Sequence, residues 1–216
     1  MKFEHALLKN NSFLRACAMS LLMLIAALVS VFYSAIYANV SASTSNSVTD
    51  IILSNTRVYD VNVIFVYGAL VVVLFSAFIL LGPRLRHFPF VLKSVALLLF
   101  IRSIFVSLTH ISPYPNQAVI SETFLFSTNL SQMFFTGDDL FFSGHVGLTF
   151  MMALLLWDSP VLRYIYLAVS VLFAAVVLLG HLHYSIDVFA AYFITYSVFV
   201  IARNIFRTDY ERTQQG

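Results

Sequence analysis

Six apolar runs, each close to the length that crosses a bilayer, leave this chain little choice of fold. They lie at roughly 13–38, 61–82, 88–110, 140–157, 161–180 and 184–206. About 20 apolar residues in helical form cross a hydrocarbon layer ~30 Å thick. No water reaches backbone amides there, so such a run closes its own hydrogen bonds as a helix. Composition agrees: 60% of the 216 residues are hydrophobic and 10% are charged, whereas soluble domains carry about 25% charged residues. Mean hydropathy is +0.89. The runs and their connections use nearly the whole length. This predicts a single all-α, polytopic domain over residues 1–216 with six transmembrane helices and no large soluble part.

The first run is longer than the h-region of a cleaved signal, so it reads as a retained helix. A net charge of +2, thinly scattered, excludes nucleic acid as a partner. Basic residues matter through their placement. Lys2, Lys9 and Arg15 flank the first run; Arg84 and Arg86 lie in the second connection, Arg163 in the fourth, and Arg203, Arg207 and Arg212 near the end. Connections one, three and five hold only Arg57. The positive-inside rule then predicts that both termini are cytoplasmic. The Ser/Thr/Asn-rich segment 39–60 reads as an extramembrane loop with a short interfacial piece at Ile51–Leu53. In the longest connection, 111–138, the amphiphilic stretch Val119–Phe126 suits a membrane surface. The single Cys17 excludes an intrachain disulfide and a cysteine-based metal site. The 22 Phe and 11 Tyr read as lipid-facing and interfacial side chains.

Two motifs set ionisable groups beside or inside apolar runs: Asp139-Leu-Phe-Phe-Ser-Gly-His145 and His181-Leu-His-Tyr-Ser-Ile-Asp187. Titratable side chains in a bilayer are costly and point to function. The predicted topology puts both motifs at the non-cytoplasmic face. His183 and Asp187 are four apart and share one helix face. A carboxylate against an imidazole fixes its tautomer and raises its basicity, which makes a nucleophile or a base. Tyr184 and Ser185 fill the turn. In the other motif, Gly144 lets a backbone amide approach an anion, Ser143 is placed to cap the helix, and the helix start favours negative charge. His145 adds an acid to that seat. Other readings of the same residues are a His–Asp pair that satisfies itself, a zinc site from His145, His181, His183 and Asp187, and Ser143 as nucleophile. Phosphoryl transfer through a histidine suits the spacing beside an anion-binding helix start better than zinc does. Arg102 falls ~12 Å short of the outer end of the third run at the usual rise. It suits either a substrate phosphate or a structural salt bridge. Lys93 suits snorkelling, His110 an interfacial position, and His5 and His87 the cytoplasmic surface. Asn39-Val-Ser41 and Asn129-Leu-Ser131 match the glycosylation triplet on the outer side.

The two motifs closely resemble the signature motifs of the sphingomyelin synthase-related proteins, a branch of the type 2 phosphatidic acid phosphatase (PAP2) superfamily. The likeness runs through residues 139–192, from Asp139 to His145 and from His183 to Tyr192, and His181 fits the His-x-His-Tyr often seen there. The resemblance implies a PAP2-like helical bundle and a lipid phosphotransferase. His183 would attack the phosphorus of a glycerophospholipid and hold the phospho-head group (phosphocholine or phosphoethanolamine, for example) as phosphohistidine. Asp187 would orient His183. His145 would protonate the departing diacylglycerol and then deprotonate the hydroxyl of ceramide or another lipid acceptor. Asp139 would support the site, with Ser143, Gly144, Arg102, His181 and Tyr184 around the substrate. No cofactor or metal is required.

Departures from the pattern are Val146 where the synthases usually have Thr, Gly137-Asp138 where they have Cys-Gly, and no Pro-Leu-Pro-Asp signature. The superfamily's phosphatases place Ser-Arg seven and six residues before the nucleophile; here those positions are Val176 and Val177. Their Lys-x6-Arg-Pro element is not met by Lys93 and Arg102. A cage for a phosphomonoester dianion is therefore missing, which favours a singly charged phosphodiester and transfer over hydrolysis by water. Hydrolysis is the alternative within the same chemistry. A non-catalytic lipid carrier or channel is the alternative outside it, but would spread polar groups through several helices.

Overall fold

The computed structural model describes residues 7–42, 44–120 and 140–214. Among these it is all-helical. The helices are α1 (Asn11–Ala42), α2 (Asn62–Leu81), α3 (Phe88–Leu108), α4 (Gly144–Leu155), α5 (Pro160–Leu179), α6 (Ser185–Ile205) and α7 (Arg207–Thr213). Local chemistry marks their starts. The Asn10 side chain accepts from the amides of Ser12 and Phe13 ahead of α1, and Asp60 accepts from the Asn62 amide at α2, which satisfies donors no helix can satisfy itself. Pro89 and Pro160 sit in the first turns of α3 and α5, where a missing N–H costs nothing.

Five of these helices are long and apolar enough to cross a membrane. The fourth run behaves differently from its neighbours. It predicts a span over 140–157, but α4 has 12 residues, about 18 Å at the helical rise. Phe142, with φ of 20°, breaks the helical path, and residues 140–143 turn instead toward α3 and α6. At the far end, the turn through Trp157, Asp158 and Ser159 leads into Pro160. α4 lies at the centre, against α3, α5 and α6, with Val146, Thr149 and Met151–Leu155 buried.

Around this centre, α1 packs along α3. Ala27 and Ala96 are fully buried at that contact, and small residues let two helix backbones approach closely. Ser76 and Tyr166 join α2 to α5 by hydroxyls 2.6 Å apart, while Ser170 Oγ donates to the Val146 carbonyl of α4 at 3.1 Å. Such bonds average about 0.6 kcal/mol in bilayers, so they set register more than stability. The outer surfaces are apolar: Leu22, Ile25, Val71, Phe78, Val171 and Phe193 are all more than half exposed. A soluble monomer rarely shows so much apolar surface, while a bilayer covers it.

The two ends of the bundle differ. At one, the carboxylate of Asp158 pairs with Arg84 and lies 3.7 Å from His87 Nε2. Beside it, Lys93 Nζ meets Asp209 at 2.5 Å, and Arg212 meets the same carboxylate at 2.6 Å. Two expectations are corrected here. His87 is buried rather than a surface residue, because α3 begins under the turn that carries Asp158. Lys93 is paired with α7 instead of reaching freely to the interface. At the opposite end the segment before α2, the segment after α3, and the α5–α6 connection gather through Tyr59 N–H to Leu179 O, Ala118 N–H to Gly180 O, and Ser112 N–H to Asn46 O. The Asn39–Ser41 triplet belongs to α1, not to a loop. Asn129–Ser131 and most of Val119–Phe126 lie outside the described residues.

Candidate active site

The second motif makes a tight turn between α5 and α6. His181 adopts φ of 54°, which lets the chain reverse. Tyr184 then occupies the N-cap position of α6. Asp187, in the first turn, accepts from the Tyr184 amide through Oδ2 at 3.1 Å. The same oxygen lies 3.4 Å from His183 Nδ1. One carboxylate therefore caps the helix and faces the imidazole, and both side chains are buried. With Nδ1 turned to the carboxylate, Nε2 is the ring nitrogen left to react. The pair is long for a hydrogen bond, as is common for catalytic pairs before substrate binds.

The first motif docks onto this turn. Ser143 N–H donates to the Asp187 carbonyl at 3.2 Å, and Ser143 C=O accepts from Gly147. Arg102 is buried on α3 and donates from Nε to the Phe142 carbonyl at 3.2 Å. Its guanidinium covers the α4 start so closely that a methyl group on Gly144 would sit 3.4 Å from Nε. His145 follows, its ring 4.1 Å from that of Phe65 and 5.2 Å from that of Phe173. His183 and Arg102 both lie within electrostatic reach of it. Two histidines, an aspartate and an arginine thus converge where α3, α4 and α6 meet.

The remaining expected residues fall around this centre. The Ser143 side chain makes no cap hydrogen bond; its hydroxyl is buried and has no partner among the described residues. The cap expected of it is not made; Ser143 contacts Asp187 through its backbone N–H instead. His181 turns to the 44–61 segment, with Nε2 3.1 Å from Thr56 Oγ1 and its ring edge-on to Tyr114. Tyr184 donates from its hydroxyl to Ser112 O and accepts from Val48 N–H, so it ties two connections together. Burial pushes its phenol above the ordinary 10.0 and keeps it a donor. Asp139 lies outside the described residues. No cluster of three or more His, Cys, Asp or Glu side chains able to hold a metal occurs among the described residues. Val176 and Val177 are buried in the apolar core.

Asp50 is the residue that sequence reasoning passed over. Its buried carboxylate accepts from Ile52 N–H (2.9 Å) and Leu53 N–H (3.1 Å), and from Ser185 N–H at 2.7 Å. Burial pushes its carboxyl up, but the bonds from Ser185, Leu53 and Ile52 prevail and hold it below the ordinary 3.8. An Asp ahead of Ile-Ile-Leu is a cap signal for a short turn, here Leu53–Asn55. Nothing in the sequence says that its second oxygen meets a helix over a hundred residues away. Phe65 and Phe173 were likewise hidden among apolar residues of two runs.

Fold and site together define a class: a helical membrane protein in which a His–Asp pair and a Ser-Gly-His helix start meet at one end of the bundle. Residues 137–204 match the family model for the PAP2 superfamily C-terminal region. The match covers α4, α5 and nearly all of α6, and with them both motifs. It supports the PAP2 superfamily, and with it an enzyme of the phosphatase and phosphotransferase kind. No curated protein and no solved structure matches the chain.

Proposed function

We propose that this protein is a lipid phosphotransferase that moves a phospho-head group from a glycerophospholipid to ceramide or another lipid hydroxyl through phospho-His183. The observation that carries the reading is the His183–Asp187 pair at the α6 start with Ser143 docked on it. His183 Nε2 attacks phosphorus. The bond from phosphorus to the glyceride oxygen breaks, and His145, held in its protonated form by the negative charge of the bound phosphodiester, gives that oxygen its proton, which frees diacylglycerol. Neutral His145 then takes the proton of the acceptor hydroxyl, whose oxygen attacks phosphorus. The P–N bond breaks, its electron pair returns to Nε2, and both histidines regain their starting states. Proton transfers of this kind contribute about 10²–10⁴ in rate. Arg102 and the backbone amides at the α4 start neutralise the phosphoryl oxygens.

Val176 and Val177, buried where the superfamily's phosphatases carry Ser-Arg, support a singly charged phosphodiester as substrate. The aromatic rings of Phe65 and Phe173 around His145 support a lipid acceptor over bulk water. The positive-inside pattern supports a non-cytoplasmic position for this end of the bundle, with membrane lipids of that leaflet as the partners.

The test is a turnover assay in detergent with a labelled phospholipid, with and without ceramide. Ceramide-dependent labelled product is expected, and His183→Ala abolishes it. Free head-group phosphate or inorganic phosphate formed without ceramide would establish hydrolysis instead. A wild-type protein that leaves every phospholipid intact would overturn the reading.

A further inference from the structure

The segment between α1 and α2 is stitched to the α5–α6 turn at several points. Tyr59 N–H reaches Leu179 O, Thr56 reaches His181, and Val48 N–H reaches the Tyr184 hydroxyl. A further contact, made by Asp50, reaches Ser185, the first residue of α6. The carboxylate is divided between two tasks: Oδ1 holds the segment's own turn at Ile52 and Leu53, and Oδ2 takes the Ser185 amide. The adjacent Tyr184 amide is taken by Asp187. Two successive amides at the α6 start, immediately after His183, are thus gripped by two different carboxylates. The helix dipole favours negative charge there.

We propose that Asp50 is a positioning residue for the phosphoryl-transfer site, docking the 44–61 segment onto α6 and so fixing the direction of the His183 ring. This rests on the reading of His183 as nucleophile. Asp50 touches neither His183 nor substrate; it acts through the backbone at Ser185. A nucleophile displaced by about 1 Å can lose about 10² in rate, so the expected effect falls on kcat.

Two variants remove the same hydrogen bond from opposite sides. Asp50→Asn keeps one oxygen for the Ile52–Leu53 turn and loses an acceptor for Ser185. Ser185→Pro removes the donor at the first helical position, where proline is tolerated. Tyr184 already has the extended backbone (φ −67°, ψ 155°) that a following proline demands. Each variant is expected to lower kcat about 10-fold or more with KM within about twofold. The double variant should fall no further than the singles, because each already breaks the same Asp50–Ser185 contact. A merely structural role would lower the melting temperature and leave kcat per folded molecule unchanged. Losses that multiply, or singles that keep full kcat, would overturn the proposal.

A second readout needs no turnover. The rate at which diethyl pyrocarbonate modifies His183, read by peptide mass spectrometry, should rise about threefold or more in Asp50→Asn as the turn opens locally. An unchanged rate would overturn the proposal. If the wild type processes no phospholipid, the proposed function fails while this rate still decides the role of Asp50.

Discussion

The amide of Ser143 donates to the carbonyl of Asp187 across 3.2 Å, and this single backbone bond joins motifs more than forty residues apart. It sets the start of α4 against the start of α6. His145 follows Ser143 by two residues, the Asp187 side chain faces His183, and Arg102 covers the α4 start from α3. Because the link is made by backbone, side-chain variants at the site leave it in place. They test chemistry more than folding.

Asp187→Asn keeps an oxygen to accept from the Tyr184 amide, so α6 retains its cap. It removes the charge that faces His183 Nδ1. We predict a fall in kcat of about 10²–10⁴ with little change in melting temperature, measured by steady-state turnover and thermal unfolding in detergent. A loss of folded protein equal to the loss of activity would mean the residue only caps the helix.

Gly180 ends α5 with ordinary helical φ, so its lack of a side chain answers to space alone. A methyl group there would lie 2.5 Å from Val61 Cγ2. Gly180→Ala should destabilise by about 1–3 kcal/mol, the usual cost of overpacking. Val61→Ala should restore most of that. Urea or thermal melts of the single and double variants check the pair.

Lys93 neutralises Asp209 where α3 meets α7, with Arg212 as a second cation. Lys93→Ala is expected to lower stability by less than the about 3–5 kcal/mol of a buried charge left without any partner, since Arg212 remains. Lys93→Ala combined with Arg212→Ala should cost more than the sum of the singles. Thermal unfolding of the four proteins measures it.

The Asp50 carboxyl is held below its ordinary value in the folded protein, and the sign of its pH effect follows. A depressed folded value adds stability that is complete above the unfolded value and is lost as pH falls through the folded one. The difference in melting temperature between wild type and Asp50→Asn should be constant above about pH 5 and shrink below about pH 4. An identical acid profile in the two proteins would contradict the assignment.

Much of the fold was legible because a bilayer enforces one rule: an apolar run must be a helix. That rule holds best where a run faces lipid, as in α2 and α5, whose predicted and observed limits differ by one residue at each end. It misleads at the centre. α4 is covered by other helices, so its length is free of the bilayer, and the apolar residues 140–143 form the irregular approach to Ser143 instead of a helical turn. The His183–Asp187 pair was legible because four-residue spacing is local geometry. Contacts between distant segments were not, since Asp50 and Ser185 carry no mutual signal in one sequence. The pairing of Lys93 with Asp209 was hidden for the same reason, as α7 looks like a charged tail until it folds back on α3.

In the proposed reaction His183 carries the phospho-head group, and trapping that adduct decides whether it does. Wild-type protein incubated briefly with head-group-labelled phospholipid, quenched in alkali and digested should yield one labelled peptide. The label should sit on His183, survive alkali and be lost in acid, and ceramide added before the quench should discharge it. A wild type that turns over with no adduct, together with a His183→Ala variant of undiminished rate, would contradict the account.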